Sequence, residues 1–445
     1  MDGWLGVLLN HQRQTEDGGR AEQQSDDDAR GGGQYEAVHS VNVARRPIAS
    51  LIMALPRALC TVVAVSALTM ACSSGARPAS SPDSESSSGA ATATQSSSGE
   101  TPPPPACGDG PALLAAISTR DKLAQLLMVG VTGAADARAV VATHHVGGIF
   151  VGSWTDLTML SDGTIPDIAA SAGPLPLAVS VDEEGGRVQR LSSLIGSQPS
   201  PRVLAQTRTP QEVHDIAFER GAAMRKLGIT IDFAPVVDVT TEPDDDVIGD
   251  RSFGSDPAKV TEYAGAYAQG LRDAGLLPVL KHFPGHGHGS GDSHLGDVTT
   301  PPLPDLQSSD LIPYRTLTTV APVAVMVGHL EVPGLTTDQP TSLTPGVYGL
   351  LRSGEYGGPP FDGPVFTDDL SSMKAISDHF GVAEASLRAL QAGADVALWV
   401  TTDEVPAVLD RLESAVNAGE LDMGRVDGSV LRVAGFKGRS PNCGR

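Results

Sequence analysis

The chain has 445 residues, with 31 Lys or Arg against 53 Asp or Glu, a formal net charge of −22. That balance excludes a nucleic-acid binder, whose partner's phosphates demand basic patches, and it suits an uncharged or weakly charged ligand. Apolar runs concentrate in the last three quarters, so one globular domain over 107–445 is expected, a size typical of a single α/β barrel.

Residues 1–52 show neither periodicity nor an apolar run and are read as a disordered or non-native extension. Met53 opens MALPRALCTVVAVSALTMAC, in which Ala58–Ala71 is apolar and follows Arg45, Arg46 and Arg57. The run is short for a membrane span and right for a signal-peptide core. Its end, Leu68 to Cys72, resembles a bacterial lipobox, with Thr69 where leucine is usual; Cys72 is the expected lipid attachment site. Residues 73–106 are almost entirely Ser, Ala, Gly, Thr and Pro and end in a run of prolines, a composition that buries no core and acts as a tether. An exported domain anchored to the outer face of the cell membrane by lipid alone, and monomeric, is the expectation. Of the four cysteines, Cys60 lies in the signal and Cys72 at its end. Cys107 and Cys443 remain at the domain's edges and are expected to pair outside the cytoplasm.

From Ala112 onward short apolar runs alternate with longer helical patterns, the mark of βα units. Strands are predicted at Leu126–Val131, Gly148–Val151, Pro176–Val181, Ile229–Val237, Leu276–Lys281, Ala321–Val327, Pro364–Thr367 and Ala394–Val400. Eight strands with intervening helices predict a (β/α)8 TIM-type barrel, in which chemistry sits beyond the strands' C-terminal ends. Polar residues fall there: Asp182 after the third strand, Lys281 and His282 at the end of the fifth, His329 after the sixth, Asp368 after the seventh.

Asp182 opens DEEGGRVQRL, where two glycines permit a tight turn that faces Asp182 and Arg190 toward one pocket; alone, the segment reads equally as a turn with an exposed ion pair. The acidic run Asp244–Asp246 reads as a solvated loop rather than a calcium site. Ile248 to Pro257, IGDRSFGSDP, carries Arg251. Leu276 to His294, LLPVLKHFPGHGHGSGDSH, holds four of the eleven histidines behind a buried-strand pattern and inside a glycine-rich loop. Three readings compete for it: acid–base chemistry by Asp292 and His294, a metal site of His286, His288 and Asp292, or a polar loop whose histidines bond backbone. Phosphate binding is weakly indicated, because the strand–GxGxxG–helix arrangement is lacking. Gly363 to Met373, GPVFTDDLSSM, leaves two adjacent carboxylates, Asp368 and Asp369, diverging at a strand end; Asp369 is the better N-cap for a following helix.

KHFPGHGHGSGDSH, Lys281–His294, resembles the signature of bacterial β-N-acetylglucosaminidases of glycoside hydrolase family 3. The DEEGGRVQR and GDRSF segments and the turn around Asp368 extend the resemblance over roughly Ala112 to Gly435. It implies a retaining exo-β-N-acetylglucosaminidase with Asp368 as nucleophile, His294 as acid/base and Asp292 as its partner. It also implies Asp182, Arg190, Arg251, Lys281 and His282 as sugar contacts, a carbohydrate substrate such as a GlcNAc-terminated muropeptide, and no cofactor. Two other readings stand beside it: a metal-dependent hydrolase on the same barrel, and a non-catalytic sugar-binding lipoprotein.

Overall fold

The computed structural model describes residues 106–320, 322–438 and Cys443. The expected extension over 1–52, the signal over 53–72 with Cys72, and the tether up to residue 105 lie outside the described residues.

Eight strands close into a parallel barrel: β1 (Leu127–Gly130), β2 (Gly148–Val151), β3 (Ala178–Val181), then β6 (Ile231–Asp232), β7 (Leu277–Phe283), β8 (Ala324–Val327), β9 (Val365–Asp369) and β10 (Val396–Trp399), with β10 hydrogen-bonded back to β1. Between β3 and β6 a hairpin, β4 (Glu183–Gly185) and β5 (Val188–Gln189), stands apart from the barrel. The predicted fold class is therefore the observed one. β1–β3, β8 and β10 are wholly buried, as expected of strands covered by helices on one side and filled by side chains on the other.

Phenylalanines fill the barrel. Phe233 lies 5.6 Å from Phe366 and 5.8 Å from Phe150, ring centre to ring centre. Their strands are not neighbours in the sheet, so these contacts cross the interior. Phe366 thus fixes the facing of β9: by alternation Asp368 shares its inward side, while Thr367 and Asp369 point out.

The outer helices carry conventional start signals. Pro210–Lys226 opens with a capping box in which Thr209 and Glu212 satisfy each other's backbone N–H groups, and Pro257–Asp273 is capped by Asp256. These two helices pack so closely that a Cβ on Gly270 would lie 2.3 Å from the His214 carbonyl oxygen, which accounts for the glycine. Cys107 and Cys443 are joined across 336 positions of sequence.

Most observed strands differ from the predicted ranges by one to three residues at an end, and three differences bear on the site. Only Ile231–Asp232 pairs within the predicted Ile229–Val237, because Pro235 has no N–H to give the ladder; Val236 rejoins by a single bridge to Lys281. β7 runs to Phe283, two residues past the predicted end at Lys281, so His282 belongs to the strand as Lys281 does. β9 likewise includes both Asp368 and Asp369.

Candidate active site

Side chains from five of the barrel's C-terminal ends meet over its mouth. Alternation along β3 and the hairpin puts Asp182 and Glu184 on one side and Glu183 on the other. Lys281 Nζ lies 2.6 Å from Asp182 Oδ1 and 2.6 Å from Glu184 Oε1. Arg251 grips Glu184 with two parallel hydrogen bonds of 2.9 Å, from Nε and Nη2, the fork geometry that guanidinium supplies and ammonium does not. Burial pushes the Glu184 carboxyl upward, but Arg251 and Lys281 outweigh it and hold it far below the ordinary carboxylate range. Burial lowers Lys281 and Arg251 in turn; the facing carboxylates reverse this and raise both. Glu184, Arg251 and Lys281 are thus held in their charged forms, each directed at its partner.

Arg251 is presented by a loop that Arg187 pins. Arg187 pairs with Asp250 at 3.0 Å and donates to the carbonyls of Asp245, Val247 and Ile248. The acidic run at Asp244–Asp246 is accordingly braced by arginine, Arg202 taking Asp244 at 3.0 Å. On the opposite face of the hairpin Glu183 pairs with buried Arg220 and accepts from the backbone N–H of Arg190 and Leu191. Arg190 is tied to this scaffold by a hydrogen bond from its backbone N–H, and its buried Nε has no hydrogen-bond partner among the described residues.

Asp238 organises the histidine segment from beneath. Wholly buried, it accepts from His282 Nδ1 at 2.7 Å and from the backbone N–H of His282 and His286 at 3.2 and 2.8 Å. His282 Nε2 then faces Arg251 Nη2 at 3.4 Å. His288 turns to Asp310 at 3.0 Å, and Asp292 turns to His294. The candidate metal triad His286, His288 and Asp292 is therefore split among separate partners, and no metal-holding group of three His, Cys, Asp or Glu exists among the described residues. Gly287 makes the crossing possible, since a Cβ there would sit 2.1 Å from the Val239 carbonyl oxygen.

Asp292 Oδ1 accepts from both Nδ1 of His294 (2.7 Å) and its backbone N–H (2.9 Å), locking ring and backbone together. Burial disfavours the charged ring, but the hydrogen bond and charge of Asp292, with the charge of Asp368, outweigh it and raise the His294 pKa. The ring remains more than a third exposed, at 38%. Its loop is tied to the far side of the barrel, where Ala375 N–H donates to the Ser293 carbonyl at 3.2 Å.

Asp368 lies on the inner side of β9 and accepts the Asp369 N–H at 2.9 Å. Burial pushes its carboxyl upward; His282, His329, that N–H and Lys281 together bring it down to about 2. His329 is itself held in place from both ring nitrogens. Its Nε2 donates to the Asp369 carbonyl at 2.8 Å, its Nδ1 takes the Ser342 hydroxyl at 2.7 Å, and burial lowers its pKa. Asp369 points outward and is spent on the turn after the strand, accepting from the N–H of Ser371 and Ser372. It caps that turn rather than a helix, since the next helix begins at Lys374.

Glu184 and Asp238 escaped the sequence reading as site residues. Both left a trace: Glu184 shares the parity of Asp182, and Asp238 is a lone acid inside the apolar run VVDV.

An ionised carboxylate on one strand faces a carboxylate–histidine pair on a loop, beside a ring of fixed charges. That arrangement can attack an electrophilic carbon while protonating its leaving oxygen. Residues 118–436 match the profile described as "Glycosyl hydrolase family 3 N terminal domain". The beta-hexosaminidase LpqI of Mycobacterium tuberculosis is 67% identical over 395 residues, covering 88% of this chain and all of that protein. The solved structure of M. tuberculosis LpqI aligns with TM-score 0.76 at 70% identity, over 77% of this chain and 100% of that one. A glycosyl hydrolase of family 3 from Mycobacterium smegmatis aligns with TM-score 0.73 at 73% identity, over 73% of this chain and 98% of that one.

Proposed function

Since the chain belongs to glycosyl hydrolase family 3 and is an exo-β-N-acetylglucosaminidase, we propose that it works by a retaining mechanism through Asp368, His294 and Asp292. Asp368 attacks the anomeric carbon and forms a covalent glycosyl-enzyme as the glycosidic C–O bond breaks. His294 gives its proton to the departing oxygen, then takes one from the water that releases the sugar. Nδ1 is committed to Asp292, which makes Nε2 the nitrogen that transfers the proton. Asp182, Arg251, Lys281 and His282 hold the sugar's hydroxyls and acetamide.

The observation that carries this reading is the opposed pair: Asp368, with its pKa brought down to about 2, and a His294 whose pKa the charges of Asp292 and Asp368 raise. One group is held as an anion ready to attack, and the other is shifted toward the protonated form that donates. Turnover of a chromogenic β-GlcNAc substrate, followed by trapping with a slow 2-fluoro sugar and peptide mass mapping, tests it. The label belongs on Asp368; a label on Asp369, or none, defeats the assignment.

The substrate class proposed is GlcNAc-terminated muropeptide released from peptidoglycan, met by a monomer that Cys72 anchors by lipid to the outer face of the cell membrane. The lipobox-like Leu68–Cys72 and the Ser/Pro-rich segment before the barrel support this placement. Cys72→Ala is expected to shift the protein from the membrane to the soluble fraction or to stop its processing. Wild-type protein that is soluble, with no acyl mass at its N-terminus, would refute the anchor.

A further inference from the structure

At the barrel's other end, where the strands begin, lies a cavity of about 500 Å³, within the roughly 300–1,000 Å³ of small-molecule sites. Its walls include the starts of β3 and β7, at Ala178 and Leu277, and the last helix at Phe436 and Lys437. Asp182, Lys281 and Asp368 sit at the opposite strand ends, so this cavity is separate from the active site.

Its charge is the notable feature. Acids outnumber bases 53 to 31 in the chain, yet among the described residues the charged groups lining this cavity are Arg225, Arg272 and Lys437, with no carboxylate. None of the three makes an ion pair among the described residues. Arg225 Nη1 donates to the Ile229 carbonyl at 3.0 Å, Arg272 Nη2 to the Gln269 side-chain oxygen, and Lys437 Nζ to Gln125 Oε1 and the Gly147 carbonyl at 2.9 and 2.6 Å. All these acceptors are neutral. Burial lowers the Arg272 pKa, and the neighbouring charge of Asp273 does not restore it. Burial likewise holds the Lys437 ammonium below the ordinary lysine range. Arg225 is exposed, whereas Arg272 and Lys437 are half-buried, and a desolvated cation without counter-charge costs free energy unless something supplies one.

We propose that this cavity binds a phosphate-class oxyanion, its charge met by the Arg225 and Arg272 guanidinium groups with Lys437 at the rim. Guanidinium forks match the paired oxygens of such an anion. Leu276, Pro322 and Phe436 give the cavity apolar wall for an organic group carrying the phosphate. Two sources share this chemistry, a free phosphate compound and a phospholipid headgroup.

The test uses the full chain and Arg225→Gln/Arg272→Gln, residues far from the reaction, whose unchanged turnover of a chromogenic β-GlcNAc substrate certifies the fold. Inorganic phosphate is titrated at constant ionic strength, with chloride as the control anion, and binding is read by calorimetry and thermal shift. Wild type is expected to show a phosphate-specific rise in melting temperature, and affinity should fall about tenfold for each arginine removed. Single variants Arg225→Ala and Arg272→Ala provide the same readout should the double variant fold poorly. Sedimentation with phosphatidylglycerol vesicles, against phosphatidylcholine vesicles, separates the sources. Arginine-dependent capture that free phosphate displaces assigns the headgroup, and phosphate binding without vesicle capture assigns the free compound. Wild-type behaviour in phosphate equal to that in chloride, or undiminished binding in the double variant, overturns the proposal.

Discussion

At the scale of single residues the site separates two carboxylates that the sequence leaves adjacent. Asp368 shares the inward side of β9 with Phe366, whereas Asp369 is consumed by the N–H groups of Ser371 and Ser372. Asp368→Ala is therefore expected to abolish turnover of every substrate. His294→Ala should spare aryl glycosides with acidic phenols far more than natural disaccharides, because protonation matters most for poor leaving groups. Azide, which needs no deprotonation, should restore its turnover, and equal losses for both substrate types would contradict the acid/base role. The pH profile follows from the same pair. With a pKa brought down to about 2, Asp368 stays ionised through mildly acidic conditions. His294 must start protonated, and Asp292 raises its pKa, so kcat/KM on poor leaving groups is expected to fall as pH rises through that raised value. Asp292→Asn removes the supporting charge, and the alkaline limb of the rate profile should move to lower pH. An unmoved limb would assign it to another group.

At the scale of elements the hairpin β4–β5 works as a two-sided clamp. Glu183 ties it to the helix Pro210–Lys226 through Arg220, and Glu184 gathers Arg251 and Lys281 over the pocket. Removing one partner of a buried ion pair leaves the others without compensation and costs roughly 3–5 kcal/mol. Glu184→Gln is expected to lose about that much stability in urea unfolding and to raise KM by freeing Arg251. Were stability and KM both unchanged, the ionised cluster would not be what orders the sugar subsite. The loop 284–299 is a second such unit. Its close crossing at Gly287, its tie to Asp310 through His288 and its bond from Ala375 to Ser293 set where His294 stands.

For the molecule as a whole, the chain closes twice: β10 pairs with β1, and Cys107 bonds Cys443. A cross-link over 336 positions restricts the unfolded chain by on the order of 5 kcal/mol in the chain-entropy model. Cys107→Ser/Cys443→Ser should lower the unfolding free energy by up to that amount, and the midpoint with it, while leaving kcat at 25 °C intact, since neither cysteine adjoins a catalytic strand end. A midpoint unaffected by the substitutions or by reductant would show that the barrel's closure alone sets stability. Paired charges at the catalytic mouth contrast with the cavity at Arg225, Arg272 and Lys437, none of which is ion-paired among the described residues.

Strand positions, the barrel class and the pairing of Cys107 with Cys443 were legible in the sequence because each rests on local pattern: apolar runs, alternation, turn glycines and a cysteine count. The dyad Asp292–His294 was legible for the same reason, its members being two residues apart on one loop. What the tertiary structure alone decided are relations between residues far apart in the chain. Asp238 lies 44 positions from His282, Glu184 lies 67 from Arg251, and Asp182 lies 99 from Lys281. No local propensity encodes such distances; they exist because barrel closure brings strand ends together and because buried charges are stable only where a partner is brought to meet them.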